Sequence, residues 1–274
     1  MTFHFLFPIF YLLSIQRAIS LVPSVTEIIY AIGAQDKLVG VVTPCDYPPG
    51  IDKPIVGNFS SVSLERIIAL KPDIVFVAGI EQHRLWEKLR CAGLNIVIIA
   101  PNNLNAVYES IKEIGIILDK ESKADSLVSY MKDEIEKLQK GLPKKLRRVY
   151  VEISEKPLVS CGRNSFINEM ISLAGGKNIM DDIDQPYPIV NAEEIIRRNP
   201  EVIIIAHEGG IDPRKRLGWQ SIAAVKNEQI YKDIDPNILM RPGPRIVDGI
   251  KALIKCIYPE FTEKEEKAID KRKK

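Results

Sequence analysis

Short apolar runs alternate with stretches of helical spacing along most of this chain. Residues 17–24 and 38–43 are compact apolar runs typical of buried strands, and the segment from Thr26 between them has the spacing of a helix. In SLERIIALKPDIVFVAG a serine-capped helix is stopped by a proline before another buried strand. Strands that alternate with helices in units of this length predict parallel α/β packing.

One long helix is predicted near the middle of the chain, from Lys120 to Lys140. We expect Asp119 to be its N-cap and Gly141 its left-handed C-cap, and Pro143 prevents continuation. Two acid–base pairs four residues apart should support its solvent face, namely Asp133 with Lys137 and Glu136 with Lys140.

The chain after this helix repeats the pattern of the chain before it. Ser63–Gly79 aligns without a gap on Asn191–His207, matching a cap, a glutamate, two isoleucines, a proline, an acid and an apolar strand. A repeat of this length indicates a duplicated lobe rather than a solenoid. The predicted fold class is therefore α/β, with two Rossmann-like lobes joined by one long helix and a ligand cleft between the lobes.

Five segments follow from this interpretation. They are a signal or anchor remnant (1–15), an N-terminal lobe (16–118), a linker helix (119–142), a C-terminal lobe (143–259) and a charged tail (260–274).

Composition and charge exclude some functions. The 274 residues are 46% hydrophobic and carry a formal charge of +2, which is ordinary for a soluble globular protein and gives no field suited to nucleic acid. The apolar run 5–15 is typical of a signal-peptide core, although it lacks a basic flank and an Ala-x-Ala cleavage site. We expect an extracytoplasmic location; a cytoplasmic module that binds a corrinoid or a metal cofactor is the alternative that would explain the incomplete signal.

The cysteines and histidines form no pattern of metal-ligand spacing. The cysteines stand singly, and we expect them to be buried small apolar residues, with a disulfide left open: Cys45, Cys91, Cys161 and Cys256. His83 and His207 each follow the equivalent strand of their lobe, which makes them weak candidates for ligating a metal or metal cofactor. The sequence contains no P-loop, G-x-S-x-G or H-E-x-x-H motif, so we predict neither an enzyme nor a resident cofactor.

The predicted ligand site lies beyond the carboxyl ends of the strands, where open α/β sheets bind their ligands. Aromatic, small and polar side chains with one guanidinium occur there, which suits a bulky ligand with apolar faces and amide or anionic edges. The expected ligand-binding residues are Pro23, Ser24, Pro44, Cys45, Phe59, Cys161, Tyr187, Met240 and Arg241.

Two glutamates occupy matching places in the two lobes. Glu65 and Glu193 each take the second position of a capped helix, where the helix dipole favours a carboxylate by about 0.3–1 kcal/mol. Two such carboxylates would also offer a two-point handle to a partner that carries two arginines.

With SLVPSVTEIIYAIGA, CDYPP, SLERIIALKPDIVFV and YPIVNAEEIIRRNPEVIII in view, the chain resembles the helix-linked solute-binding proteins of ABC importers. It is most similar to the vitamin B12 (cobalamin) branch, with siderophore- and haem-binding relatives nearby. The resemblance implies a monomer that captures a cobalt corrinoid, siderophore or haem and delivers it to a permease dimer. It also implies that Glu65 and Glu193 engage permease arginines. Where the cobalamin branch is rich in tryptophan, the matching residues here are Pro44, Phe59, Gly79 and Tyr187.

Overall fold

The computed structural model describes residues 14–79 and 82–261, which form two compact units. Unit 1 takes the described residues up to Ala100 together with Tyr108–Val128, and unit 2 takes Pro101–Val107 together with those from Ser129 onward. Nearly all of the export segment 5–15 and most of the tail 260–274 lie outside the described residues. Within 14–79 and 82–261, no helix combines the length and the apolarity that a bilayer crossing requires.

Unit 1 is built on a four-stranded parallel sheet in the order β2-β1-β3-β4. Ala18 in the central strand pairs with Leu38 on one side and Ile74 on the other. The strands are β1 (Ala18–Ser20), β2 (Leu38–Val41), β3 (Ile74–Val77) and β4 (Ile96–Ile98). The helices that precede strand β5 in the chain are α1 (Pro23–Ala31), α2 (Leu64–Ala69), α3 (His83–Cys91), α4 (Leu104–Ile117) and α5 (Glu121–Gln139).

Unit 2 is built on a five-stranded sheet in which β6-β5-β8-β9 are neighbours and β7 also pairs with β5. Only β6 is antiparallel among these strands. The strands are β5 (Arg147–Glu155), β6 (Leu158–Ser160), β7 (Gly176–Asn178), β8 (Val202–Ile205) and β9 (Ile230–Tyr231). The helices are α6 (Phe166–Leu173), α7 (Ala192–Arg198), α8 (Ala223–Lys226), α9 (Pro236–Met240) and α10 (Ile246–Ile257), with 3-10 turns at Pro213–Lys215 and Trp219–Ser221.

One unit boundary lies between Ala100 and Pro101, and the other two fall inside helices α4 and α5. Val107 and Tyr108 belong to different units, as do Val128 and Ser129. The segment limits 16–118, 119–142 and 143–259 therefore stay a prediction.

The repeat seen in the sequence is also a repeat of local structure. The side chains of Ser63 and Asn191 both accept a backbone N–H at the start of their helices, α2 and α7. Each helix ends before a left-handed residue that precedes the proline, Lys71 (φ 43°) and Asn199 (φ 47°). The local interactions that make the two segments similar therefore produce the same cap, helix and strand in each unit.

Several local predictions are wrong. Helix α1 starts at Pro23 rather than Thr26, because proline fits the first helical position, where no backbone N–H is needed. Asp119 is left-handed (φ 56°) and its carboxylate pairs with Lys37 at 2.8 Å, so it does not cap α5. Of the two expected pairs on α5, Glu136–Lys140 forms at 3.1 Å, whereas Lys137 pairs with Glu134 rather than Asp133. The short strands β6 and β7 were not predicted from the sequence.

Candidate functional site

Each sheet has a switch point at the carboxyl ends of two neighbouring strands. In unit 1 the chain leaves β1 for β2 on one side and returns to β3 on the other; in unit 2, β6 and β7 lie on one side of β5 and β8 on the other. The crevices at β1/β3 and β5/β8 are where open α/β sheets bind ligands. The two crevices carry different side chains.

Gln82 fills the switch point of unit 1. Its Oε1 accepts the Ala78 N–H at 2.8 Å, and its Nε2 donates to the carbonyls of Leu21 at 3.2 Å and Phe59 at 2.7 Å. The side chain is almost completely buried. Gln82 thereby ties the ends of β1 and β3 to the Phe59 loop and fixes the backbone that carries this half-buried aromatic ring.

The first turn of α1 packs against the loop after β2. Pro23 is half-buried in that turn and Ser24 is buried. The Thr26 hydroxyl lies 3.0 Å from the Cys45 sulfur, and Pro44 beside it is half-buried. Pro23 and Ser24 therefore belong to a helix rather than to the predicted loop, but the structure does bring this turn and the Cys45 loop together.

Tyr187 stands on a segment that is hydrogen-bonded along β6 and the loop after it. We call residues 183–190 the Tyr187 arch. Its carbonyls at Pro186 and Pro188 accept N–H groups from Gly162 at 3.0 Å and Ser160 at 3.1 Å, and the Val190 N–H donates to Leu158 O at 2.9 Å. The backbone on both sides of the tyrosine is thus fixed, while its side chain remains 39% exposed.

Cys161 does not contribute its thiol to this surface. The residue has no exposed area, and burial raises the pKa of its thiol to about 12. Its carbonyl accepts a hydrogen bond from Asn178 at 2.8 Å. Ligand contact by Cys161 stays a prediction, and its buried thiol is not part of the exposed surface around Tyr187.

A buried ionic network occupies the switch point of unit 2. Glu152, in β5, has no exposed area, and its carboxylate receives both terminal nitrogens of Arg216 at 2.5 and 2.7 Å. The Tyr150 hydroxyl lies 3.3 Å from the same carboxylate, and the guanidinium carbon of Arg216 lies 4.6 Å above the Trp219 ring. Desolvation by burial is the main reason why the pKa of Tyr150 is raised well above its usual value.

His207 belongs to this network. Its Nε2 lies 3.0 Å from a Glu152 oxygen and its Nδ1 lies 3.2 Å from the Glu208 carbonyl, so both ring nitrogens face protein oxygens. His83 is exposed and its ring lies 5.1 Å from that of Trp86. In the described ranges, no three His, Cys, Asp or Glu residues are grouped so that they could hold a metal ion. Metal ligation by either histidine stays a prediction.

A cavity of about 680 Å³ adjoins this network within unit 2. It is lined by the segment from His207 to Asp212, by Arg216 and by residues 232–236 at the start of α9. The volume lies within the range of small-molecule sites. Further along α9, Met240 is half-buried and Arg241 is buried, with the Arg241 N–H donating to Asn237 O at 3.0 Å.

The two glutamates occupy equivalent exposed positions. Glu65 and Glu193 lie in the first turns of α2 and α7. The Ser63 hydroxyl donates to Glu65 at 2.8 Å, and this hydrogen bond is the main reason why the pKa of Glu65 is lowered.

Sequence reasoning missed Gln82, Glu152 and Arg216. A glutamate inside the strand run RRVYVEI was the one available signal, because an ionisable residue in a buried strand needs a partner. Nothing in the sequence identified Arg216 as that partner.

Each unit thus has a mainly parallel α/β sheet with polar and aromatic groups placed at its switch point, as in proteins that bind ligands at such sheets. Residues 19–236 match a family described as periplasmic binding protein. The chain is 34% identical over 257 residues to the ABC transporter substrate-binding lipoprotein YvrC of Bacillus subtilis (strain 168), covering 89% of this chain and 81% of the relative.

Two solved structures share the fold over nearly their whole length. A possible iron-binding periplasmic protein of Staphylococcus epidermidis is 32% identical, with a TM-score of 0.80 over 90% of this chain and 100% of that one. The vitamin B12-binding protein BtuF of Vibrio cholerae is 29% identical, with a TM-score of 0.77 over 89% and 96%.

The chain therefore belongs to the periplasmic binding protein family. It is a substrate-binding protein of an ABC transporter, a class that binds small ligands, works with a permease and is not enzymatic. The predicted α/β fold class and the predicted family are confirmed, whereas the ligand cleft between the lobes stays a prediction.

Proposed function

We propose that this chain captures cobalamin or a related corrinoid outside the cytoplasmic membrane and delivers it to the permease dimer of an ABC importer. The observation that carries the ligand proposal is the fixed backbone under one aromatic side chain in each unit, Phe59 through Gln82 and Tyr187 through its arch. Held aromatic rings suit a large ligand with apolar faces, since they contribute contact area at little cost in conformational entropy. The similarity to a vitamin B12-binding protein supports the same ligand class.

A ferric siderophore or haem is the second candidate. It is favoured by the iron-binding relative, which is as similar in sequence and in fold as the vitamin B12-binding protein. Both candidates are bulky metal-centred ligands with polar edges, and we propose that Arg241 and the half-buried loops hold those edges in either case. Calorimetry with several ligands separates them.

Isothermal titration with cyanocobalamin, a ferric hydroxamate siderophore and haemin, in parallel, tests the ligand. We expect cyanocobalamin to bind with a Kd of about 1 μM or tighter, about −8 kcal/mol or better. Phe59→Ala and Tyr187→Ala should each weaken binding about tenfold. Tyr130→Ala, which truncates an exposed tyrosine of α5, is the matched control and should bind as the native chain does. Binding heat with the siderophore or haemin and none with the corrinoid would show that the ligand is an iron complex. The assignment as a substrate-binding protein would not change.

Glu65 and Glu193 are proposed as the docking pair for the permease. Each glutamate is exposed in the first turn of a capped helix, so each unit offers a partner one carboxylate in the same local setting. Reversing both charges should abolish uptake while ligand affinity stays native, because opposed charges at an interface attract and like charges repel. Glu109→Arg reverses an exposed charge on α4 and is the control. Unchanged uptake by the Glu65→Arg, Glu193→Arg chain would remove the docking role.

A further inference from the structure

We propose that Gly162 is a positioning residue for ligand binding, because it determines where the Tyr187 arch sits. The inference rests on the proposed role of Tyr187 as a ligand contact. Gly162 itself is buried beneath the arch and does not need to touch the ligand.

The space above Gly162 is occupied by the backbone of the arch. A Cβ at this position would lie 2.0 Å from the Gln185 carbonyl oxygen and 2.6 Å from the Ile183 carbonyl oxygen. Both obstacles are backbone atoms, so no side-chain rotation can relieve the overlap. Any residue other than glycine must push the arch away from the loop after β6.

The arch follows such a displacement as one piece. Besides the bonds at Pro186, Pro188 and Val190, the Arg163 N–H donates to Ile183 O at 2.8 Å and the Arg163 Nε donates to Asp181 O at 2.8 Å. The Asn164 amide also donates to the Asp184 carbonyl. Proline rings on both sides of Tyr187 fix the φ angles of those neighbours. Tyr187 therefore has little freedom to recover its place by local backbone adjustment.

The absence of a side chain at Gly162 thus determines the position of the Tyr187 ring. The expected ligand has an extended flat or macrocyclic face. Such a face packs against the ring of Tyr187, and this packing is lost when the ring is displaced. A ligand held only by polar groups elsewhere would not respond to Gly162.

A double-mutant cycle with cyanocobalamin as the probe tests the coupling. Tyr187→Ala should weaken binding about tenfold and Gly162→Ala about fivefold to tenfold, and the double variant should bind no more weakly than Tyr187→Ala alone. Asn164→Ala, which removes one arch bond without adding an atom, should give a smaller loss that also disappears in the Tyr187→Ala background. Gly33→Ala is the control for lost stability, because its φ of +70° strains alanine while nothing lies within 4 Å. Native affinity of Gly162→Ala, or full additivity with Tyr187→Ala, would overturn the proposal.

Hydrogen exchange on the ligand-free chain keeps this test separate from the choice of ligand. The amides of Ser160 and Arg163 donate to carbonyls of the arch, and the Val190 amide of the arch donates to Leu158 O. Gly162→Ala should therefore accelerate the exchange of these three amides at least about tenfold, whereas Gly33→Ala should not. Unchanged protection in Gly162→Ala would refute the positioning role even if the corrinoid assignment held. Accelerated exchange together with no corrinoid binding by the native chain would instead refute only the proposed ligand.

Discussion

Arg216→Met should destabilise unit 2 far more than the loss of a surface charge would. The substitution leaves the fully buried carboxylate of Glu152 without two guanidinium hydrogen bonds of 2.5 and 2.7 Å. Breaking a buried pair from one side costs about 3–5 kcal/mol, because the remaining charge is desolvated without its partner. We expect the lower end, about 3 kcal/mol, since the imidazole of His207 and the hydroxyl of Tyr150 still face the carboxylate.

Removing both charges should restore most of the stability. Ser20 pairs with Phe76 in unit 1 and Val151 pairs with Ile204 at the equivalent place in unit 2. The next residue is Leu21 in unit 1 and Glu152 in unit 2, so we expect the position of Glu152 to accept a leucine. Glu152→Leu combined with Arg216→Met should therefore cost about 1 kcal/mol, and the coupling in the cycle should be at least about 2 kcal/mol.

Urea unfolding followed by circular dichroism and tryptophan fluorescence measures these free energies, with Trp219 as the local reporter beside Arg216. Arg214→Met is the matched control: Arg214 is exposed and its partner Asp212 is only half-buried, so the variant should lose less than about 1 kcal/mol. If Arg216→Met stayed within about 1 kcal/mol of the native chain, or if the two single losses simply added, the buried network would not have the energetic role derived from its geometry.

Three further outcomes are expected. At about pH 8 iodoacetamide should label the exposed Cys91 in the native chain and Cys161 only after denaturation, because burial raises the Cys161 pKa to about 12; intact mass counts the adducts, and early labelling of Cys161 would contradict its burial. The hydrogen bond from Arg198 lowers the pKa of Asp182, so its stabilisation is complete above the ordinary aspartate pKa of about 4 and is lost as pH falls through the lowered value. The destabilisation by Arg198→Met, about 1 kcal/mol after solvent screening, should thus be constant above about pH 5 and shrink below about pH 4 in urea titrations; a constant difference down to acid pH would exclude this pair as its source. Asn191→Ala should lower the unfolding free energy by about 1 kcal/mol, because its side chain accepts a helix N–H at 2.7 Å, and a neutral result would show that water replaces the cap.

The cysteines show how well residue type alone predicts burial. Cys45, Cys161 and Cys256 are buried as expected, whereas Cys91 is exposed on the last turn of α3. All four are free thiols, so the disulfide that the sequence left open is not formed. A single residue type has a preferred environment, but its side of a helix is decided by the neighbours against which that helix packs.

The sequence by itself determined the features whose causes are local. Ser63 and Asn191 as caps, the prolines that end the two helices and the apolar strands after them all follow from interactions within a few residues, and each appears in the structure. Phe59 and Tyr187 were predicted as site residues from their places in loops after strands, and their contact with a ligand stays a prediction.

Only the tertiary structure decided which distant groups meet at the switch points. Gln82 reaches back 61 residues to Leu21, and Arg216 reaches back 64 residues to Glu152. A side chain at Gly162 would overlap only because the carbonyls of a segment some twenty residues further along lie against it. Hydrophobic periodicity and helix capping depend on residues that are close in sequence. These contacts depend instead on strand order and register, which bring together residues that are distant in sequence.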